Sequence, residues 1–135
     1  MKFIYYDFTN KEYLSQIKNL ICPLKKYFPW WCETVNIHSQ TNIDNVAAIV
    51  TEPQYRRIKL YIYPNIVDEL PKEQKRIILH EIGHATIAPL INLIDFSILP
   101  FINNEQLQGF IVGEVNKLNE ACAEDIALIL EKTNA

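Results

Sequence analysis

The most informative segment of the chain reads LPKEQKRIILHEIGHATIAP, residues 70–89. Pro71 is suited to the first turn of a helix, and the polar residues just before it offer a cap. An apolar stripe then repeats at helical spacing: Ile77, Ile78, Ile82 and Ala85. The pattern predicts a helix over residues 72–88, which Pro89 ends or kinks because proline lacks a backbone N–H.

Inside this helix stands the motif His80-Glu81-Ile82-Gly83-His84. Two histidines four residues apart lie one turn apart on the same helix face, so both imidazoles can reach one metal ion. Nitrogen ligands at about 2 Å, with a coordination position left open for water, are what a catalytic zinc ion needs. Glu81 is rotated by about 100° from His80. It therefore lies beside the metal, where it can accept a proton from a metal-bound water.

A hydrolytic zinc site needs a third protein ligand. The extended motif that supplies a third histidine is absent, because Ile87 stands at its glycine position and Leu90 at its histidine position. His38 or an acidic residue remains. Glu120 and Glu124 are four residues apart on one face of a predicted helix, where they form either a carboxylate pair packed against another helix or a solvated face.

The two motifs together resemble those of the gluzincin metallopeptidases. The resemblance rests on two segments: His80-Glu81-Ile82-Gly83-His84 and Asn119-Glu120-x-x-Ala123-Glu124. It implies that Glu120 is the third zinc ligand and that Glu124 accepts a hydrogen bond from a zinc-binding histidine, which fixes the histidine tautomer. The family often has aspartate at that supporting position, so Asp125 could share the task. Glu124 as the ligand is the rival assignment.

The resemblance also implies a function and an architecture. The function is a zinc-dependent peptidase in which Glu81 activates a metal-bound water against a peptide bond of a restricted protein or peptide substrate. The expected fold is α+β and zincin-like, with a small mainly antiparallel or mixed sheet packed on the active-site helix and on a C-terminal glutamate-bearing helix. Zincins bind peptide along the edge strand of that sheet. The predicted strand over residues 57–63 is in that place.

Larger relatives stabilise the oxyanion with a histidine or tyrosine from a second lobe, which a chain of 135 residues has no room for. Four side chains are candidates for this role: His38, Tyr55, Tyr61 and Tyr63. Loss of such a donor slows catalysis by about 10²–10³-fold. The alternative function is a catalytically weak or inactive module of the same fold that binds a protein partner through the tryptophan pair and the face of Tyr61 and Tyr63.

The N-terminal half predicts a helix followed by strands. Thr9 or Asn10 can cap a helix with an apolar stripe: Tyr13, Leu14, Ile17, Leu20 and Ile21. Of Trp30 and Trp31, which follow, one is expected in the core and the other as a second core contact, with a surface anchor as the alternative. Alternation of polar and apolar residues predicts three strands: residues 34–38, 46–51 and 57–63. A turn is expected at residues 42–45.

The C-terminal part predicts one more helix, over residues 113–131. Residues 92–110 are ambiguous, because Pro100 and Gly109 interrupt an apolar run. No linker or internal repeat appears, so a single domain over residues 1–135 is expected.

Composition excludes several function classes. Thirteen basic and sixteen acidic residues give a net charge of −3, so no strong cationic field favours nucleic acid. The basic runs at 56–59 and 72–76 are expected to be solvated faces. Three glycines leave no phosphate-binding loop. Three cysteines are too few for a disulfide framework and are expected in the core: Cys22, Cys32 and Cys122. With neither a signal segment nor a membrane span in the sequence, a cytoplasmic location is expected.

Overall fold

A computed structural model describes residues 1–41 and 44–133 of the chain. It has four strands: β1 (Lys2–Tyr6), β2 (Thr34–Ser39), β3 (Ala47–Glu52) and β4 (Arg57–Ile62). It has three α-helices: α1 (Lys11–Ile21), α2 (Pro71–Leu93) and α3 (Glu105–Thr133). The α+β class is confirmed. Two residues of the predicted turn at 42–45, Asn42 and Ile43, lie outside the described residues.

The strands form one mixed sheet in the order β1-β2-β4-β3. β1, β2 and β4 are parallel, and β3 is antiparallel to β4. The expectation that the strand over residues 57–63 is the sheet edge is wrong, because β4 pairs with β2 on one side and with β3 on the other. β3 is the edge strand beside α2. The sequence reasoning did not predict β1, although its run of aromatic and β-branched residues is typical of a strand.

One face of the sheet carries the core. Alternate residues of β2 and β4 are fully buried: Val35, Ile37, Ile58, Leu60 and Ile62. They pack with residues of α1 and α2 in a single hydrophobic cluster. Because side chains alternate across a strand, the residues between them lie on the opposite face. There His38 stacks between Tyr6 and Tyr61, with ring centroids 4.7 and 5.2 Å away.

The N-terminal segment folds largely as predicted. Asn10 is the cap of α1, since its Oδ1 accepts hydrogen bonds from the backbone N–H groups of Glu12 and Tyr13 at 2.9 and 3.1 Å. Trp31 is buried, but the expectation of a second core contact is wrong for Trp30, whose exposed fraction is 90%. Cys32 lies in the core, whereas Cys22 and Cys122 are exposed and contradict the prediction.

Helix α2 continues past Pro89 to Leu93, so of the two predicted effects of Pro89 the ending of the helix at Ala88 is wrong. The φ angle of proline is compatible with a helix, and what Pro89 removes is one hydrogen bond to the preceding turn. A π-helical turn, Ile94–Ile98, and a short 3₁₀ turn, Leu99–Phe101, follow. α3 then begins at Glu105, eight residues earlier than predicted.

Helices α2 and α3 form a long hairpin, and their backbones come into close contact at Gly83. A Cβ at Gly83 would lie 2.6 Å from the Ala123 carbonyl oxygen and 2.8 Å from its Cα. The two backbones can approach this closely only because position 83 has no side chain. Towards the far end of the hairpin, large apolar side chains are exposed: Leu90, Leu93, Phe96, Phe101, Leu107 and Phe110.

By length and composition, the continuous helical stretch Pro71–Phe101 could cross a membrane. This is weak evidence, since the core helix of a soluble protein meets the same criterion. The first half of this stretch supplies Ile78, Leu79 and Ile82 to the core. The absence of a membrane span stays a prediction.

Candidate metal site

The α2–α3 hairpin brings two histidines of α2 to one carboxylate of α3. Glu120 Oε2 lies 3.2 Å from His80 Nε2, and Glu120 Oε1 lies 3.2 Å from His84 Nε2. One potential ligand atom from each residue lies within 4.8 Å of the others. The predicted i, i+4 pair therefore shares a face of α2, and that face points at α3.

The second nitrogen of each imidazole is occupied by a separate acceptor. His80 Nδ1 donates to Glu124 Oε2 at 2.9 Å, and His84 Nδ1 donates to Asn119 Oδ1 at 2.8 Å. Because Nδ1 of each histidine is engaged in this way, Nε2, which faces Glu120, is the nitrogen that could bind a metal ion. Acceptors of this kind fix the tautomer and ring orientation of metal-binding histidines.

The donor types suit a small divalent ion, and their spacing is wider than a bound ion requires. Ligands about 2.0–2.1 Å from a tetrahedral ion are separated from one another by about 3.3 Å. The two nitrogen-to-oxygen separations of 3.2 Å involve different oxygens of Glu120, and the three ligand atoms lie within 4.8 Å of one another, so a bound ion would draw them together. Two neutral imidazoles and one carboxylate are also a donor set that divalent first-row metals accept. The cluster of His80, His84 and Glu120 could hold a metal ion.

The two glutamates of α3, Glu120 and Glu124, have different partners. Glu120 faces both Nε2 atoms, while Glu124 lies one turn further on. Both oxygens of Glu124 are engaged: Oε2 with His80, and Oε1 with the guanidinium of Arg76. Arg76 and His80 also lower the pKa of Glu124, so this carboxyl group stays charged. Asp125, the other supporting candidate, has no contact with either histidine among those of the described residues.

Glu81 lies in the cleft beside the cluster. Burial raises the pKa of Glu81 to about 7, and the neighbouring Glu120 charge adds to the rise. A carboxyl group with a pKa close to neutrality is suited to accepting and returning a proton. The cleft has a volume of about 440 Å³, with β3 on one side and the histidines on the other.

The structure does not bring the predicted oxyanion donors to this cleft. His38 and Tyr61 lie on the opposite face of the sheet, stacked on each other. Tyr63 is buried after β4, and Tyr55 is exposed beside Arg57. None of the four is among the described residues that line the cleft. The physical reason is the strand period of two, which turns His38 and Tyr61 away from the helices.

Three residues of the site were missed or given no role by sequence reasoning. Asn119 stands directly before Glu120, and its position in the motif is the only local signal of its bond to His84. Gly83 lies inside the histidine motif and permits the close helix contact. Arg76 was predicted to belong to a solvated basic run, and nothing in the sequence links it to Glu124.

Comparisons of the chain with protein-family models, with curated proteins and with solved structures found no match.

Proposed function

We propose that this protein is a zinc-dependent peptidase with a zincin-like fold, which hydrolyses a peptide bond in a restricted protein or peptide substrate. The observation that carries the proposal is the convergence of two imidazole Nε2 atoms on one carboxylate, each with its Nδ1 already bonded elsewhere. An ordinary surface pair of histidines has no need of two separate acceptors that fix its tautomers.

His80, His84 and Glu120 would hold the zinc ion. When bound, zinc acidifies water and polarises a carbonyl group. Glu81 accepts the proton of the attacking water and delivers it to the amine nitrogen that leaves. Its burial supports this exchange, because desolvation raises the pKa of the Glu81 carboxyl group and so makes it a stronger proton acceptor.

Strand β3 is suited to hold the substrate in an extended conformation. The Val46 carbonyl accepts a hydrogen bond from the Tyr63 N–H at 3.1 Å. Because bonded positions alternate along an antiparallel pair, the main-chain groups of Ala47, Ile49 and Thr51 point to the open edge. All three residues also line the cleft. A substrate that adds a strand here runs past the histidines and Glu81.

The direct test of this proposal combines metal analysis with a cleavage assay. We expect the purified chain to bind one equivalent of zinc and to produce new peptide termini from a proteome-derived peptide library, detected by mass spectrometry. A chelator should abolish the products, and added zinc should restore them. Glu120→Ala is expected to lose stoichiometric zinc, because two neutral imidazoles alone bind it weakly. Identical products from the zinc-loaded wild type and from Glu120→Ala would rule out the peptidase.

The edge-strand role makes a separate prediction about the substrate. A cleaved peptide, resynthesised with one backbone N-methyl group at each position in turn, should lose about tenfold in kcat/KM at alternate positions. The reason is that only every second residue of an added strand hydrogen-bonds to β3. In the protein, Val50→Ala should leave this profile unchanged, because the Val50 side chain lies on the face of the sheet away from the cleft. A loss that is uniform along the peptide would contradict strand addition.

A catalytically weak or inactive module that binds a protein partner is the second candidate. The exposed apolar side chains near the far end of the hairpin and the exposed Trp30 favour it. It also agrees with the absence of the predicted oxyanion donors from the cleft. This candidate predicts zinc binding without any new peptide termini in the library assay.

A further inference from the structure

The hydrogen bond of His80 continues through Glu124 to a third side chain, Arg76. Arg76 lies on α2 one turn before His80, and its Nη2 donates to Glu124 Oε1 at 2.5 Å. Glu124 Oε2 accepts from His80 Nδ1 at 2.9 Å. The carboxylate of α3 is thus held between two side chains of α2, and the three residues form one hydrogen-bonded chain that ends at the candidate metal ligand.

Glu124 needs such a restraint to orient a histidine. Its side chain is 41% exposed, and a glutamate with that much freedom has several rotamers available. Only a rotamer that turns Oε2 towards Nδ1 keeps the proton there and leaves Nε2 free for a metal. A guanidinium matches a carboxylate in geometry and holds it in one orientation.

We propose that Arg76 is a positioning residue of the metal site, which acts through Glu124 to fix the ring of His80 and thereby raises the affinity for zinc. The inference rests on the proposed function, since it takes zinc as the ion. Arg76 also keeps both oxygens of Glu124 engaged, so Glu120 is left as the carboxylate that faces the two Nε2 atoms.

Simple electrostatics predicts the opposite sign. Arg76 is a positive charge near a site for a dication, so its removal by Coulomb repulsion alone would tighten zinc binding. A positioning role predicts weaker binding. Lys72 offers a matched control, because it is an exposed positive charge one turn before Arg76 on the same helix. Lys72→Met removes an equal charge without touching Glu124.

The experiment measures the zinc dissociation constant of the full chain by competition with a chromogenic chelator. We expect Arg76→Met to raise Kd about tenfold, as loss of a partner behind a metal ligand typically does. Arg76→Lys should recover part of the loss, and Lys72→Met should leave Kd unchanged or lower it. In the Glu124→Gln background, Arg76→Met should change Kd less than twofold, because the two residues act in series. Arg76→Gln replaces Arg76→Met if the latter does not fold, as judged by circular dichroism.

The outcomes separate this inference from the peptidase proposal. An unchanged or lower Kd in Arg76→Met, or additive effects of Arg76→Met and Glu124→Gln, would overturn the role of Arg76 alone. Tight zinc binding by the wild type without peptide hydrolysis would overturn the peptidase but leave the Arg76 comparison fully measurable. A wild type that binds no zinc would overturn both.

Discussion

Glu81→Gln is expected to lower kcat/KM by about 10²–10⁴-fold while one equivalent of zinc stays bound. Glutamine keeps the shape and volume of the side chain but cannot accept a proton from water. The metal ligands His80, His84 and Glu120 are untouched, so metal analysis should give the wild-type stoichiometry. A Gln variant that cleaves the same peptide as fast as the wild type would show that Glu81 is not the proton acceptor.

The same substitution has a stability signature in the metal-free protein. Burial raises the pKa of Glu81 to about 7 from its ordinary value of 4.5. The folded state therefore holds a proton that the unfolded state has lost, and the free energy of unfolding falls as pH rises between these two values. Glutamine does not ionise, so the free energy of unfolding of Glu81→Gln does not fall in this way. The variant should be more stable than the wild type at pH 8 by up to about 3 kcal/mol. At pH 4 the two proteins should unfold alike, as chemical denaturation can measure.

Gly83→Ala is expected to lower the free energy of unfolding by about 2 kcal/mol or more and to weaken zinc binding at the same time. The new Cβ would meet the backbone of Ala123 at 2.6 and 2.8 Å, and backbone cannot rotate away as a flexible side chain can. The helices have to separate, which moves Glu120 and Asn119 away from the histidines. The better helix propensity of alanine, about 1 kcal/mol, is too small to offset the clash.

Two other glycines provide matched controls for that result. A Cβ at Gly109 or Gly113 meets nothing within 4 Å, and both residues lie in α3. Gly113→Ala should therefore stabilise the protein by up to about 1 kcal/mol through helix propensity alone. Thermal unfolding followed by circular dichroism compares Gly83→Ala with Gly109→Ala and Gly113→Ala. Equal melting temperatures for the wild type and Gly83→Ala would contradict the prediction, because they would show that the helices accommodate the added methyl group without loss of stability.

Local patterns predicted much of the secondary structure. The alternation in β4 correctly places Ile58, Leu60 and Ile62 on the buried face, because a strand has a side-chain period of two whatever surrounds it. The wrong predictions concern features that depend on which other parts of the chain a residue or strand contacts. β4 is central because β2 and β3 both pair with it, and no feature of its own sequence distinguishes a central from an edge strand. Trp30 is exposed although its neighbour Trp31 is buried, and the two occupy the central positions of a turn in which the Cys32 N–H donates to the Pro29 carbonyl.

Local sequence was enough to predict the histidine half of the candidate site. His80 and His84 share a face because the helical repeat alone puts residues four apart one above the other. The other half depends on how the two helices pack. Which carboxylate of α3 meets them, and which side chains stand behind them, depends on how α3 is rotated and aligned against α2. That alignment is set where Gly83 meets the Ala123 backbone, 40 residues along the chain, and no local periodicity encodes a contact between two helices.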